Sequence, residues 1–143
     1  MSMYQQFGTD KELEKKGVTL DYGDFRVTVA RAGGSNNKFV KTHEFLTKPH
    51  RRLIDQDLLP VEREREISRQ LYARAVVLNW EVKDDKGKWK QGIESPDGSI
   101  LPFSEESVIA AFAALPDLFA DIQVQSNQMK LFLSANREAD AKN

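Results

Sequence analysis

The stretch Val61–Trp80, VEREREISRQLYARAVVLNW, constrains the fold more than any other part of the chain. Pro60 suits a first helical position, where a missing N–H costs no hydrogen bond. Glu62 and Glu64 then fall in the first turn, near the positive end of the helix dipole. Ile67, Leu71, Ala75 and Leu78 recur every three or four residues and mark one buried face. From Ala73 onward Val76, Val77 and Trp80 add apolar surface on other sides, as where a helix enters a core. The pattern predicts a central helix over 61–80, wet in its first half and dry in its second. It carries no catalytic pattern.

Upstream, Val18, Leu20 and Tyr22 alternate, as do Phe25, Val27 and Val29, and Gly23-Asp24 supplies a turn between them. This predicts a hairpin whose apolar face must be covered, because two strands alone are marginal. Residues 1–16 have no clean period and read as a loose arm or a short helix ended by Gly17. Gly33-Gly34-Ser35-Asn36-Asn37 breaks the chain and offers helix caps. Phe39, Leu46 and Leu53 then repeat at seven residues, interrupted by Pro49, which predicts a kink or a short second helix through Ile54.

Beyond Trp80, two turn signals, Asp84–Gly87 and Pro96–Ser99, bracket Trp89 and Ile93 and leave extended pieces or an exposed loop open. Ser104 reads as an N-cap with Glu105 and Glu106 in the first turn, and Phe103 is placed to staple onto Val108. Pro116 ends or restarts that helix. Residues 134–143 read as a polar tail. The expected architecture is α+β: a mostly helical single domain over 17–133. It has an N-terminal β-hairpin and a second short hairpin or loop between the central helix and the C-terminal helices.

Bulk properties narrow the function. A chain of 143 residues with 40% apolar and 30% charged residues fits one ordinary domain. The net charge of −1 gives no global drive toward nucleic acid or anionic membrane. Cysteine is absent, which removes disulfides and thiol chemistry. The first residues lack the apolar run of a signal peptide, and no segment approaches the roughly 20 apolar residues of a membrane span, so a soluble cytoplasmic protein is expected. The charge is divided: residues 1–80 carry 14 Lys and Arg against 11 Asp and Glu, and residues 81–143 carry 7 against 11.

No reactive constellation emerges. His43 and His50 are the only histidines and stand seven apart across a proline, away from metal-ligand spacing. Asp84-Asp85-Lys86-Gly87 lacks the acidic twelfth position of a calcium loop, which would fall on Ser95. No nucleophile elbow, Walker loop or dinucleotide fingerprint is present. The reading is therefore non-enzymatic, with no cofactor and no metal.

Several segments taken together resemble the tail assembly chaperones of long-tailed bacteriophages and prophages. They are Val27-Thr28-Val29-Ala30-Arg31-Ala32-Gly33-Gly34 before a helix, Leu46–Arg52, Tyr72–Glu81, Leu101-Pro102-Phe103-Ser104, and Leu115–Ile122. The likeness covers roughly residues 17–125, and its one departure is the longer segment between Trp80 and Pro102. It implies a factor that binds and solubilises the tape measure protein and helps recruit tail tube subunits. Such a factor acts in the bacterial host cytoplasm and is absent from the mature virion. It also implies a homo-oligomer and, in many relatives, a frameshifted longer form as a further partner. Membrane and nucleic acid are not expected partners. A head–tail connector or a small nucleic-acid-binding regulator are the alternatives.

A chaperone for a long amphipathic helix needs exposed apolar surface with a charged rim. The candidate partner-binding surface is Val108–Ile122, with Phe112, Leu115, Leu118 and Phe119 as anchors. Arg51 and Arg52, in the basic cluster Lys48–Arg52, are candidates to pair with the acidic segment of a neighbouring copy.

Overall fold

The computed structural model describes residues 2–134. Strands β1 (Val18–Asp21) and β2 (Phe25–Val29) form the expected antiparallel hairpin, with Leu20 opposite Val27. Gly23 takes a positive φ of 92° at the turn, which glycine adopts without strain. The hairpin is half of a four-stranded sheet of order β1-β2-β3-β4, completed by β3 (Val77–Lys83) and β4 (Trp89–Gln91). All pairings are antiparallel, and Val27 faces Trp80 across the β2–β3 ladder.

The central helix is shorter than the sequence suggests. Helix α5 spans Val61–Ala75, and the chain turns directly into β3 with no glycine or proline between them. Val76 makes the last helical bond, its N–H to the Tyr72 carbonyl, while its own carbonyl accepts from the N–H of Ala30, just past the end of β2. Val76 and Val77 are β-branched; the register against β2 shifts at Leu78, and from Asn79 burial alternates as a strand requires, with Trp80 and Val82 inward. Leu78, on the expected helical stripe, is 39% exposed.

Around Pro49 the chain behaves as its sequence dictates. Helix α3 (Asn37–Thr47) runs through a 3-10 turn at Lys48–His50 into the short α4 (Arg51–Asp55). Past Gln56, Asp57 takes φ 55°, and the Leu58 N–H returns to the Leu53 carbonyl, closing the helix end. A second hairpin, β5 (Ile93–Glu94) with β6 (Ile100–Leu101), follows the sheet. Ser104 caps α6 (Glu105–Ala114) by accepting from the Ser107 N–H. The third residue of that cap is Ser107, whose hydroxyl reciprocates to the Ser104 N–H. Pro116 opens α7 (Pro116–Asn127), bent 114° from α6. No single described helix is long and apolar enough to cross a membrane.

Of the two expectations for the first residues, a loose arm or a short helix ended by Gly17, they take the helical one, and Gly17 caps the second helix. They form α1 (Met3–Phe7) and α2 (Lys11–Lys16). The α2 end is pinned because the Asp10 N–H donates to Phe132 and Thr9 bridges Leu133, next to a 3-10 turn at Met129–Phe132. Glu14 of α2 is 1% exposed, with the Arg31 guanidinium 2.6 Å away and the Thr9 hydroxyl at 3.1 Å. Burial pushes the Glu14 carboxyl up, but hydrogen bonds from Arg31, Ser35 and Thr9 and the Arg31 charge outweigh it and hold it below the usual range. Of the polar tail, only Ser134 lies within the described residues.

The core lies between one face of the sheet and the helices α5, α6 and α7. An unbroken series of ring contacts crosses it. Tyr22 stacks on Phe25 at 4.8 Å, Phe25 on Trp80 at 5.9 Å, and Trp80 meets Phe112 at 6.3 Å. Phe112 stacks on Phe119 at 4.5 Å, and Tyr72 joins Phe119 to Phe39 by two edge contacts. The opposite sheet face is polar. There Arg26 pairs with Glu81 at 2.8 Å, and its guanidinium lies 4.2 Å from the Trp89 ring centre.

Candidate docking groove

Where the sheet, the β5–β6 hairpin and the two C-terminal helices meet, a groove of about 520 Å³ remains open. Its floor is the sheet side of the core: Phe25, Trp80 and Val82. Ile93 and Leu101 of the second hairpin form one wall, which exists because Gly92 turns the chain away from β4. A side chain at Gly92 would collide with Ile100 Cγ2 at 2.5 Å, and its φ of 154° also favours glycine.

The other wall comes from α6 and α7. Ala110 and Ala114, one helical turn apart and both exposed, keep that wall low, and Leu115 and Leu118 close it at the bend. Leu115 is 55% exposed, a large apolar side chain at the groove lip. The Ser107 hydroxyl also reaches the groove, but it is already committed to the Pro102 and Ser104 carbonyls. The groove therefore presents apolar surface with few free polar groups.

The segment that supplies both walls carries charge of one sign. From Gln91 to Met129 the chain carries six acidic residues and no lysine or arginine. Three of the six are engaged inside the fold. Asp121 accepts from the Tyr22 hydroxyl at 2.5 Å, Glu105 pairs with Arg74 at 2.9 Å, and Asp97 is held by Ser95 and Ser99 in the β5–β6 turn. Those hydrogen bonds, from Ser95 first and then Ser99, lower the Asp97 carboxyl to about 2. Glu94, Glu106 and Asp117 are exposed, and no hydrogen bond or ion pair occupies their side chains among the described residues.

The candidate anchors divide between groove and core. Leu115 and Leu118 line the groove. Phe112 is 1% exposed and lies beneath it, so it is a core residue and offers a partner no surface. Phe119 is half-buried, stacked on Phe112 and packed against the core. Phe112 faces the core from α6, and the bend at Pro116 brings Phe119 of α7 back to stack on it. Arg51 and Arg52 stand apart from all four, exposed on α4. Beside them Leu53, Ile54, Leu58 and Val61 are also exposed, making an apolar-tipped elbow between α3 and α5. The sheet side of the groove, Phe25, Trp80 and Val82, was not legible as a binding wall; the apolar–polar alternation from Leu78 to Lys83 is the signal that points to it. Among the described residues no group of three His, Asp or Glu side chains could hold a metal ion.

Fold and site define a small, mostly helical α+β protein with an open apolar groove under an acidic rim. The chain belongs to the YdaY prophage protein family, whose model matches residues 34–143. No curated protein and no solved structure matches it. The family match begins after β2, so β1 and β2 lie outside it although Val27 and Val29 are core residues.

Proposed function

We propose that this prophage protein is a non-catalytic tail assembly chaperone. In this reading it binds the tape measure protein, keeps it soluble and helps recruit tail tube subunits. It works in the host cytoplasm as a homo-oligomer and leaves before the virion matures. Membership of a prophage family supports the viral context, and the resemblance over residues 17–125 supports the specific role. The single observation that carries the proposal is the open apolar groove, because an amphipathic client helix needs such a surface to bury its apolar face.

Co-expression with the tape measure protein of the same prophage tests this. A soluble complex that co-purifies is the expected result. An insoluble tape measure protein beside a chain that purifies alone would contradict it.

A further inference from the structure

We infer that the groove selects a cationic amphipathic helix: apolar side chains enter it, and Lys or Arg flanks meet Glu94, Glu106 and Asp117 at its rim. This rests on the chaperone reading of the groove and specifies the chemistry of the client segment.

Three observations combine. The groove offers apolar walls and few uncommitted polar groups, so it has little to orient a small polar ligand. Ala110 and Ala114 leave a low track along α6, which lets a second helix axis come close. Glu94 lines the groove on the hairpin wall, and Glu106 and Asp117 are exposed on α6 and α7, each next in the chain to a lining residue, Ser107 and Leu118. All three carboxylates lack partners among the described residues, and no basic side chain lies between Gln91 and Met129 to neutralise them. An anionic flank would set like charges side by side at a partly dry surface, whereas a cationic flank completes the pairs.

Two synthetic helices sharing one Leu/Ala face, flanked by Lys in one and Glu in the other, provide the probe. Binding of each labelled peptide to the full chain is followed by fluorescence anisotropy. The Lys helix is expected to bind about tenfold more tightly at low salt, since three partly exposed pairs suffice for that factor. Added salt should narrow the gap, and the variant E94K/E106K/D117K should reverse the preference. All three sites are exposed, so circular dichroism should show an unchanged fold. Equal affinity for both helices, binding of neither, or a preference unaltered by the triple variant would overturn the inference. If the triple variant keeps the tape measure protein as soluble as the wild type does, charge selection fails and the chaperone reading survives. If the wild type itself leaves the tape measure protein insoluble, the chaperone reading fails.

Discussion

The Tyr22 hydroxyl donates to the Asp121 carboxylate at 2.5 Å, tying the β1–β2 turn to α7 across the end of the sheet. The bond also fixes the first ring of the aromatic series that runs through Phe25 and Trp80 to Phe112. Because Phe25 and Trp80 form the groove floor, this one contact braces the floor from the side.

Tyr22→Phe should cost about 1.5–3 kcal/mol, the range for a hydrogen bond to a charged acceptor, measured by urea denaturation at neutral pH. Burial first, and then the Asp121 hydrogen bond and charge, raise the Tyr22 hydroxyl well above its ordinary value of 10.0. A group raised in the folded state stabilises fully below its unfolded value and loses that contribution as pH climbs toward the folded one. The wild type should therefore lose stability above about pH 10. The Phe variant should lose less over the same interval.

Glu14 governs the acid side. Its carboxyl is held below the usual range despite burial, so its contribution is present above the unfolded value of 4.5 and is lost as pH falls below it. Glu14→Ala leaves Arg31 without its partner and should destabilise by about 3 kcal/mol. Its acid-unfolding profile should also be shallower below pH 4.5 than the wild type's. Gly34→Ala should destabilise through the same cluster, because an added Cβ would lie 2.0 Å from a Glu14 oxygen at a φ of +53°.

Two neighbouring apolar residues should separate fold from function. Phe112→Ala empties a core site that is 1% exposed and should cost about 3–5 kcal/mol. Leu115→Ser changes a side chain that is 55% exposed and should shift stability by less than about 1 kcal/mol. On the docking account, Leu115→Ser should nevertheless weaken client binding several-fold. Thermal melts paired with peptide binding compare the two variants, and full binding by Leu115→Ser would remove Leu115 from the site.

The legible parts of this fold are those that local chemistry decides. Alternation around Gly23-Asp24 identifies the hairpin, Ser104 identifies the start of α6, and Pro49 identifies the break after α3. The helix-to-strand change at Ala75–Val77 is hidden because Ala75–Leu78 is apolar throughout, fits either period, and has no breaker residue. Strand pairing with β2, remote in sequence, decides it. The burial of Glu14 is hidden for a similar reason, since Arg31 and Gly34 reach it only through the fold. The groove was half legible: Leu115 and Leu118 come from a segment with a visible apolar pattern. Phe25, Val82 and Ile93 join them only by tertiary contact.

The elbow supplies a separate test of self-association. Arg51 and Arg52 are exposed on α4 beside the exposed Leu53 and Ile54, while the groove rim is acidic. R51E/R52E should leave the melting temperature within a few degrees of wild type and lower the weight-average mass in sedimentation at matched concentration. An unchanged mass would exclude these arginines from the contact between copies.

Amide hydrogen exchange of the chain, alone and in complex with the tape measure protein, tests the central claim most directly. Slowed exchange is expected in residues 93–96 and 110–118, the two walls of the groove, with the outer face of β1 and β2 unchanged. Protection confined to the elbow at 48–61, or to the polar sheet face around Trp89, would contradict it.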